Sequence, residues 1–271
     1  MMSRPMWVVK MVKAGFPYSK YGAKFTKVPV LGRVAERILF KDDEIIILPQ
    51  DRVVTVGEDV EGDSSVVVPS KVVEHFIGRA EHLFIMDKCI CRDSLHCEDY
   101  PRDIGCLFMG EAALGINPKL GHVATREEAL AHIARSREAG LFHLVGRNRL
   151  DTVWLGVGPG EKLLTVCNCC TCCCIWRMLP DIADRVSANV SRMPGVTVEV
   201  TGDCTGCATC EETCFTGAAR VEGGVATIGV ECRGCGRCAE VCPEQAITVA
   251  IEGLDAIERS IDRIAPAVDI S

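Results

Sequence analysis

Cys204-Thr-Gly-Cys207-Ala-Thr-Cys210-Glu-Glu-Thr-Cys214 and, 28 residues on, Cys232-Arg-Gly-Cys235-Gly-Arg-Cys238-Ala-Glu-Val-Cys242-Pro243 are two copies of one cysteine spacing. The repeat continues past the thiols: Cys214-Phe-Thr-Gly-Ala218 aligns with Cys242-Pro-Glu-Gln-Ala246, and each copy then enters a short β-prone run, at 220–222 and 247–251. Three cysteines in a tight loop can present thiolates to three irons of one cubane, while the fourth leaves on a helix toward a second cluster. Zinc is the alternative for any Cys-x-x-Cys pair, but a zinc site closes with four ligands and does not require an interleaved, doubled motif. Gly206, Gly234 and Gly236 beside the thiols let the backbone approach inorganic sulfide and offer amide hydrogens to it.

The doubled spacing resembles that of bacterial-type dicluster ferredoxins over about 50 residues. That resemblance implies a ferredoxin-like 2[4Fe-4S] fold, with one cluster on Cys204, Cys207, Cys210 and Cys242 and the other on Cys232, Cys235, Cys238 and Cys214. It also implies a low potential, of order −400 mV, and a role in conducting electrons. Phe215 departs from the family's proline after the fourth cysteine of the first copy.

Eight of the eighteen cysteines are thereby placed, leaving ten. Cys89, Cys91, Cys97 and Cys106 form one group; Cys167, Cys169, Cys170, Cys172, Cys173 and Cys174 form the other. Six thiols in eight residues cannot all enter one core, because adjacent side chains diverge, and as exposed free thiols they would be reactive. Metal is the economical explanation. Both groups follow apolar strand-like runs, at 83–86 and 163–166, and neighbouring strand ends would bring them to one site. Ten thiols suffice for one or two further iron–sulfur clusters, with some left as buried spares. The stretches Cys89-Ile-Cys91-Arg92, Arg126-Glu-Glu-Ala-Leu130 and Cys167-Asn-Cys-Cys-Thr-Cys-Cys-Cys174, followed by a ferredoxin module, resemble a family of anaerobe proteins described only as 4Fe-4S-binding. The likeness spans about residues 85–250 and implies clusters without implying a reaction.

The rest of the 271 residues bounds the class. The chain is 48% hydrophobic and 25% charged, ordinary for one large or two modest globular domains. A disulfide scaffold does not fit a chain this long, and the opening residues read as neither a signal peptide nor a spanning helix. The expectation is a cytoplasmic, reducing and anaerobic setting. Residues 1–41 carry nine Lys or Arg against Glu36 alone; with a net charge of −7 overall, the remainder carries −15. Such a body repels phosphate backbones, so nucleic acid is not an expected partner. The basic arm reads as a surface segment folding back on the acidic body, or as a docking surface for an acidic redox protein.

Local patterns give an α+β expectation: a basic arm at 1–41, a mixed α/β cluster domain at 42–200, the dicluster module at 201–252 and an amphipathic tail helix at 253–271. Strands are expected at 44–48, 52–56 and 65–68, with Ser70 capping a helix whose apolar face is Val72, Val73, Phe76, Ile77 and Ala80. Thr125-x-x-Glu128 is a capping box opening a helix through Ala139, followed by a strand at 141–145. A helix from Pro180 or Asp181, with Ile182, Val186 and Val190 on one face, should end near Pro194-Gly195 before a strand at 196–200. Leu254, Ile257, Ile261 and Ile264 recur at helical spacing up to Pro266. Gly156-Val-Gly-Pro-Gly-Glu-Lys162 lacks the Walker spacing and reads as a turn between two strands.

Three functions fit these readings. An electron-transfer subunit serving a partner oxidoreductase comes first. A reductase with its own substrate site at the N-terminal cluster is the second, with His96 or Asp93 supplying the proton. A cluster-assembly or delivery scaffold is the third. His75, His82, His122 and His143 read as ordinary surface or core histidines. No flavin, nicotinamide or nucleotide fingerprint accompanies the cysteines.

Overall fold

The structure is a computed structural model in which residues 3–56, 68–253 and 255–271 are described. Most of the strand expected at 65–68, and Leu254 of the tail helix, lie outside these residues. The strands in chain order are β1 Glu44–Leu48, β2 Val54–Val56, β3 Leu83–Met86, β4 Leu107–Met109, β5 Gly121–Val123 and β6 Phe142–Arg147. They continue with β7 Leu164–Cys169, β8 Val190–Arg192, β9 Val196–Val200, β10 Ala219–Glu222, β11 Val225–Ile228 and β12 Ile247–Ile251. The fold is α+β. A seven-stranded sheet runs β5-β3-β4-β7-β6-β1-β8, antiparallel throughout except for the β1–β8 pair.

Alternation along these strands divides the sheet into two faces. Ile46, Leu48, Ile85, Leu107, Val145 and Val166 face a core completed by the helices Lys71–Arg79, Arg126–Glu138 and Ala256–Ile264. On the opposite face lie Ile45, Ile47, Phe142, Leu144 and Cys169, packed on Trp176 and Leu179. Phe84, Met86, Cys106 and Phe108 continue that face toward β3 and β4. The cysteine groups thus belong to the side of the sheet away from the helices Lys71–Arg79, Arg126–Glu138 and Ala256–Ile264.

The capping box is present in both directions: the Glu128 N–H donates to Thr125 Oγ1 at 3.2 Å and the Thr125 N–H to Glu128 Oε2 at 2.8 Å. Ser70 precedes its helix without capping it. Among the described residues its buried hydroxyl has no partner, and its N–H instead donates to Asp51 Oδ1 at 3.0 Å. The helix expected after Pro180 is only Asp184–Ser187, and Val190 begins β8 instead. Ile182, Val186 and Val190 are all buried at helical spacing, but the ladder to β1, with Ile45 opposite Val190, overrides the local pattern. The glycine-rich stretch 156–162 joins the helix Arg149–Leu155 to β7 rather than two strands, and Gly156 (φ +69°) supplies the left-handed residue that ends the helix.

The basic arm folds back on the body as three helices, Met6–Gly15, Ser19–Lys24 and Pro29–Leu39, joined by single turns; the helices bury Val9 and Ala23 and the turns bury Phe16 and Thr26. Polar ties fasten it: Lys13 to Asp93, Arg185 to Glu36, and Arg4 Nη2 to the Val153 carbonyl at 2.8 Å. At the other end, β12 lies between β9 (antiparallel) and β2 (parallel), so the last strand of the ferredoxin repeat is stitched into the body. Among the described residues no helix is long and apolar enough to cross a membrane.

Candidate metal centres

All eighteen thiols are free of disulfides. In the C-terminal module the two helices Thr209–Thr213 and Arg237–Val241 each follow a left-handed residue, Ala208 (φ 63°) and Gly236 (φ 83°). Each helix carries the third cysteine of its loop and delivers the fourth across the module. One small cavity is consequently lined by Cys204, Cys207, Cys210 and Cys242, the other by Cys214, Cys232, Cys235 and Cys238. Three thiols of each cavity come from one copy and the fourth from the other copy.

The donor set and its surroundings fit cubane clusters. Backbone N–H groups point at the sulfurs: Gly234 to Cys232 Sγ, Ala226 to Cys204 Sγ and Ala246 to Cys242 Sγ, all at 3.3 Å, and Ala219 to Cys214 Sγ at 3.4 Å. Such donors favour thiolate and the reduced cluster. Gly206 (φ +69°) is confined by packing as well as by conformation, since a Cβ there would sit 2.3 Å from the Gly224 carbonyl oxygen.

The ten remaining cysteines form two sets that do not follow the sequence groups. β4 lies between β3 and β7, so the strand ends are not neighbours as expected. Alternation along β7 sends Cys167 and Cys169 to one face and Asn168 to the other. Cys167 and Cys169 join Cys89, Cys91, Cys106 and Cys174 around a cavity of about 180 Å³, closed by Phe16, Trp154 and Trp176; Cys170, a member of the other set, also borders it. Its sulfurs are close, with Cys106 Sγ 3.5 Å from Cys167 Sγ and Cys174 Sγ 3.3 Å from Cys169 Sγ. Hydrogen bonding to neighbouring thiols, and then burial among them, pushes the Cys91, Cys106, Cys167 and Cys169 thiols well above the ordinary range, a cost that a cationic metal centre would remove.

Cys97 leaves its sequence neighbours. The chain turns through His96 (φ 51°) after the helix Ile90–Ser94 and brings Cys97 to Cys170, Cys172 and Cys173, the four sulfurs lying within 4.8 Å of one another. Between the two sets stands Arg92, fully buried, whose Nε donates to the Pro101 carbonyl at 2.8 Å, Nη1 to that of Asn168 at 2.6 Å and Nη2 to that of Ile104. The thiol of Cys172 and this guanidinium together hold the Cys170 thiol down at about 5. Behind Asn168, on the far face, Nδ2 donates to the Gly105 carbonyl at 2.8 Å and Oδ1 meets His143 Nδ1 at 2.9 Å, fixing the turn of β7.

The candidate proton donors lie elsewhere. His96 is exposed, and Asp93 is paired to Lys13 beside a separate cavity. The carboxyl that does line the six-thiol chamber is Asp151, held by Asn148 Nδ2 at 2.7 Å and Trp154 Nε1 at 2.8 Å and pushed up to about 6 by burial. Sequence reading missed it because Arg-Leu-Asp-Thr-Val-Trp carries no motif and an acid in the first turn of a short helix is ordinary.

Aromatic rings join the chamber to the ferredoxin module. Phe215, next to Cys214 and lining the second cavity of the repeat, stacks on Phe142 with centroids 5.6 Å apart and planes at 19°. Phe142 stands opposite Cys169 in the β6–β7 ladder. Arg237, which lines the same cavity, also lies over the Tyr100 ring at 5.7 Å, and Tyr100 packs on the Cys97 set.

The 4Fe-4S binding domain family matches residues 231–248, the second copy of the repeat. No curated protein and no solved structure matches the chain. The matched domain and the clustered thiols together point to 4Fe-4S binding and iron–sulfur electron transfer.

Proposed function

We propose that this chain is a multi-cluster electron-transfer protein that relays low-potential electrons between a donor and a partner oxidoreductase. In this reading Cys204, Cys207, Cys210 and Cys242 hold one [4Fe-4S] cluster, Cys214, Cys232, Cys235 and Cys238 the second, and thiols of the six-cysteine chamber a third. When bound, such clusters supply reversible one-electron storage. The protein's part is to hold them at fixed positions, shield them from water and tune their charge.

The Phe142–Phe215 stack carries the proposal. Where the ferredoxin pattern has proline, this chain places a ring that joins a ligand-bearing turn of the module to the strand bearing the chamber's Cys169. Partner recognition falls to the N-terminal helices, which expose Trp7, Met11, Tyr18 and Tyr21 among lysines, a combination suited to an acidic redox protein. The test is a dithionite titration of anaerobically purified chain followed by electron paramagnetic resonance. A reducible centre beyond the ferredoxin pair, lost in Cys169→Ser/Cys174→Ser while the pair persists, supports the relay. A chain with no such extra centre contradicts it.

Asp151 favours a second reading, in which the chamber cluster reduces a small molecule and this carboxyl donates the proton. Turnover abolished in Asp151→Asn with every centre still reducible would select it over a pure relay.

A further inference from the structure

We infer that Cys97, Cys170, Cys172 and Cys173 form a closed site for a single soft divalent ion, zinc or ferrous iron, separate from every cluster. The size of the site decides this. A cubane seats each thiolate on its own iron and holds the sulfurs roughly 6 Å apart. One tetrahedral ion with metal–sulfur bonds of about 2.3 Å requires sulfurs about 3.8 Å apart. These four lie within 4.8 Å of one another, with Cys97 Sγ 3.6 Å from Cys172 Sγ. Among the described residues no other His, Cys, Asp or Glu group is as compact; the ferredoxin thiols, held apart around their cavities, do not meet that limit.

The surroundings are those of a built structural site. Cys97, Cys170 and Cys173 are buried, and Ile104, Leu141 and the Tyr100 ring pack on them. The two chain segments are fixed independently of any metal: Arg102 Nε donates to the Cys97 carbonyl at 2.9 Å and Arg177 Nη1 to that of Cys172. Four deprotonated thiolates around one M²⁺ leave a net charge of −2, with the buried Arg92 guanidinium alongside Cys170. Binding releases the thiol protons and changes no oxidation state. The consequence is mechanical: the ion clips the loop after Cys91 to the segment after β7, and so holds the walls of the six-thiol chamber together.

The inference does not depend on the relay. It is tested on full-length chain purified without oxygen, by counting zinc, iron and acid-labile sulfide per chain. The expected result is one metal ion in excess of the iron matched by sulfide. If that ion is zinc, absorption at the zinc edge shows four sulfur neighbours at about 2.3 Å; if it is iron, Mössbauer spectra show a mononuclear high-spin ferrous component. Cys97→Ser should lose this ion alone and leave cluster iron and sulfide unchanged. Loss of four irons with four sulfides would make the site a cubane and overturn the inference, as would wild-type chain without an excess ion or an excess ion that survives Cys97→Ser. The wild-type spectra decide the matter even if the variant fails to fold.

Discussion

Replacing Arg92 by methionine should lower the midpoint potential of the chamber centre by roughly 100 mV, while lysine at the same position should retain most of it. The guanidinium is fully buried between the two thiol sets, and Cys89, Cys170 and Cys169 are the thiols whose charge it feels most. A unit charge about 5 Å away at an effective dielectric of about 20 is worth about 3 kcal/mol. At 59 mV per tenfold change for one electron, that is an upper bound near 140 mV. The same substitution strands two buried carbonyls, those of Asn168 and Ile104, and frees the more exposed one of Pro101. At about 1–3 kcal/mol for each buried unsatisfied group, methionine costs roughly 2–6 kcal/mol of stability; lysine, which can still reach one of them, costs about half. Anaerobic redox titration followed by electron paramagnetic resonance, with denaturant unfolding alongside, separates charge from scaffolding. A methionine variant that loses stability yet shifts the chamber potential by under about 20 mV would refute the electrostatic reasoning. A shift of the same size in the ferredoxin pair would refute the placement of Arg92's influence at the chamber.

Other perturbations address the remaining links. Phe215→Leu removes the ring stacked on Phe142 and should slow electron equilibration between module and chamber several-fold in a photoreduction experiment, with potentials unchanged and about 1–2 kcal/mol lost; an unchanged rate would exclude the stack as the contact that matters. Asp151 has a folded pKa of about 6, above its unfolded value, so the native state holds the extra proton and stability falls as pH rises between the two values. Stability curves of wild type and Asp151→Asn should therefore converge or cross in the variant's favour by roughly 2 kcal/mol between pH 4 and pH 6.5, and parallel curves would show the carboxyl to be ordinary. Ala208 holds the left-handed conformation that glycine supplies at position 236 of the second copy, so Ala208→Gly should raise the unfolding free energy by up to about 1 kcal/mol, and a loss would mean the Cβ contributes packing that outweighs the strain.

What could be read from the chain alone was whatever is encoded locally. The Thr125–Glu128 box, the tail helix and the strands at 44–48, 83–86 and 196–200 depend on neighbours within a turn or two, and the interleaving of the repeat is implied by its own spacing. β4 has only three residues, too few for a period to register, although it separates the two strands whose ends were expected to meet. Val190 fits a helix locally and joins a strand because β1 is waiting for it. The sorting of the ten N-terminal cysteines was illegible for the same reason. It depends on alternation along β7 continuing into Cys167-Asn-Cys169, and on the turn at His96 that carries Cys97 away from Cys89, Cys91 and Cys106. Neither leaves a mark on cysteine spacing. The basic arm hid three helices because its lysines dominate its composition, while the apolar residues that anchor it, Val9, Phe16 and Ala23, are few and widely spaced.

The central claim is that the tail repeat and the chamber hold iron and inorganic sulfide for conducting electrons. It is met most directly by counting both elements in oxygen-free, full-length chain and recording its visible spectrum before and after dithionite. The account predicts a brown protein that bleaches on reduction and carries about twelve sulfides, with an equal complement of cluster iron, for three cubanes. A colourless chain without acid-labile sulfide, its thiols occupied by zinc throughout, would contradict it.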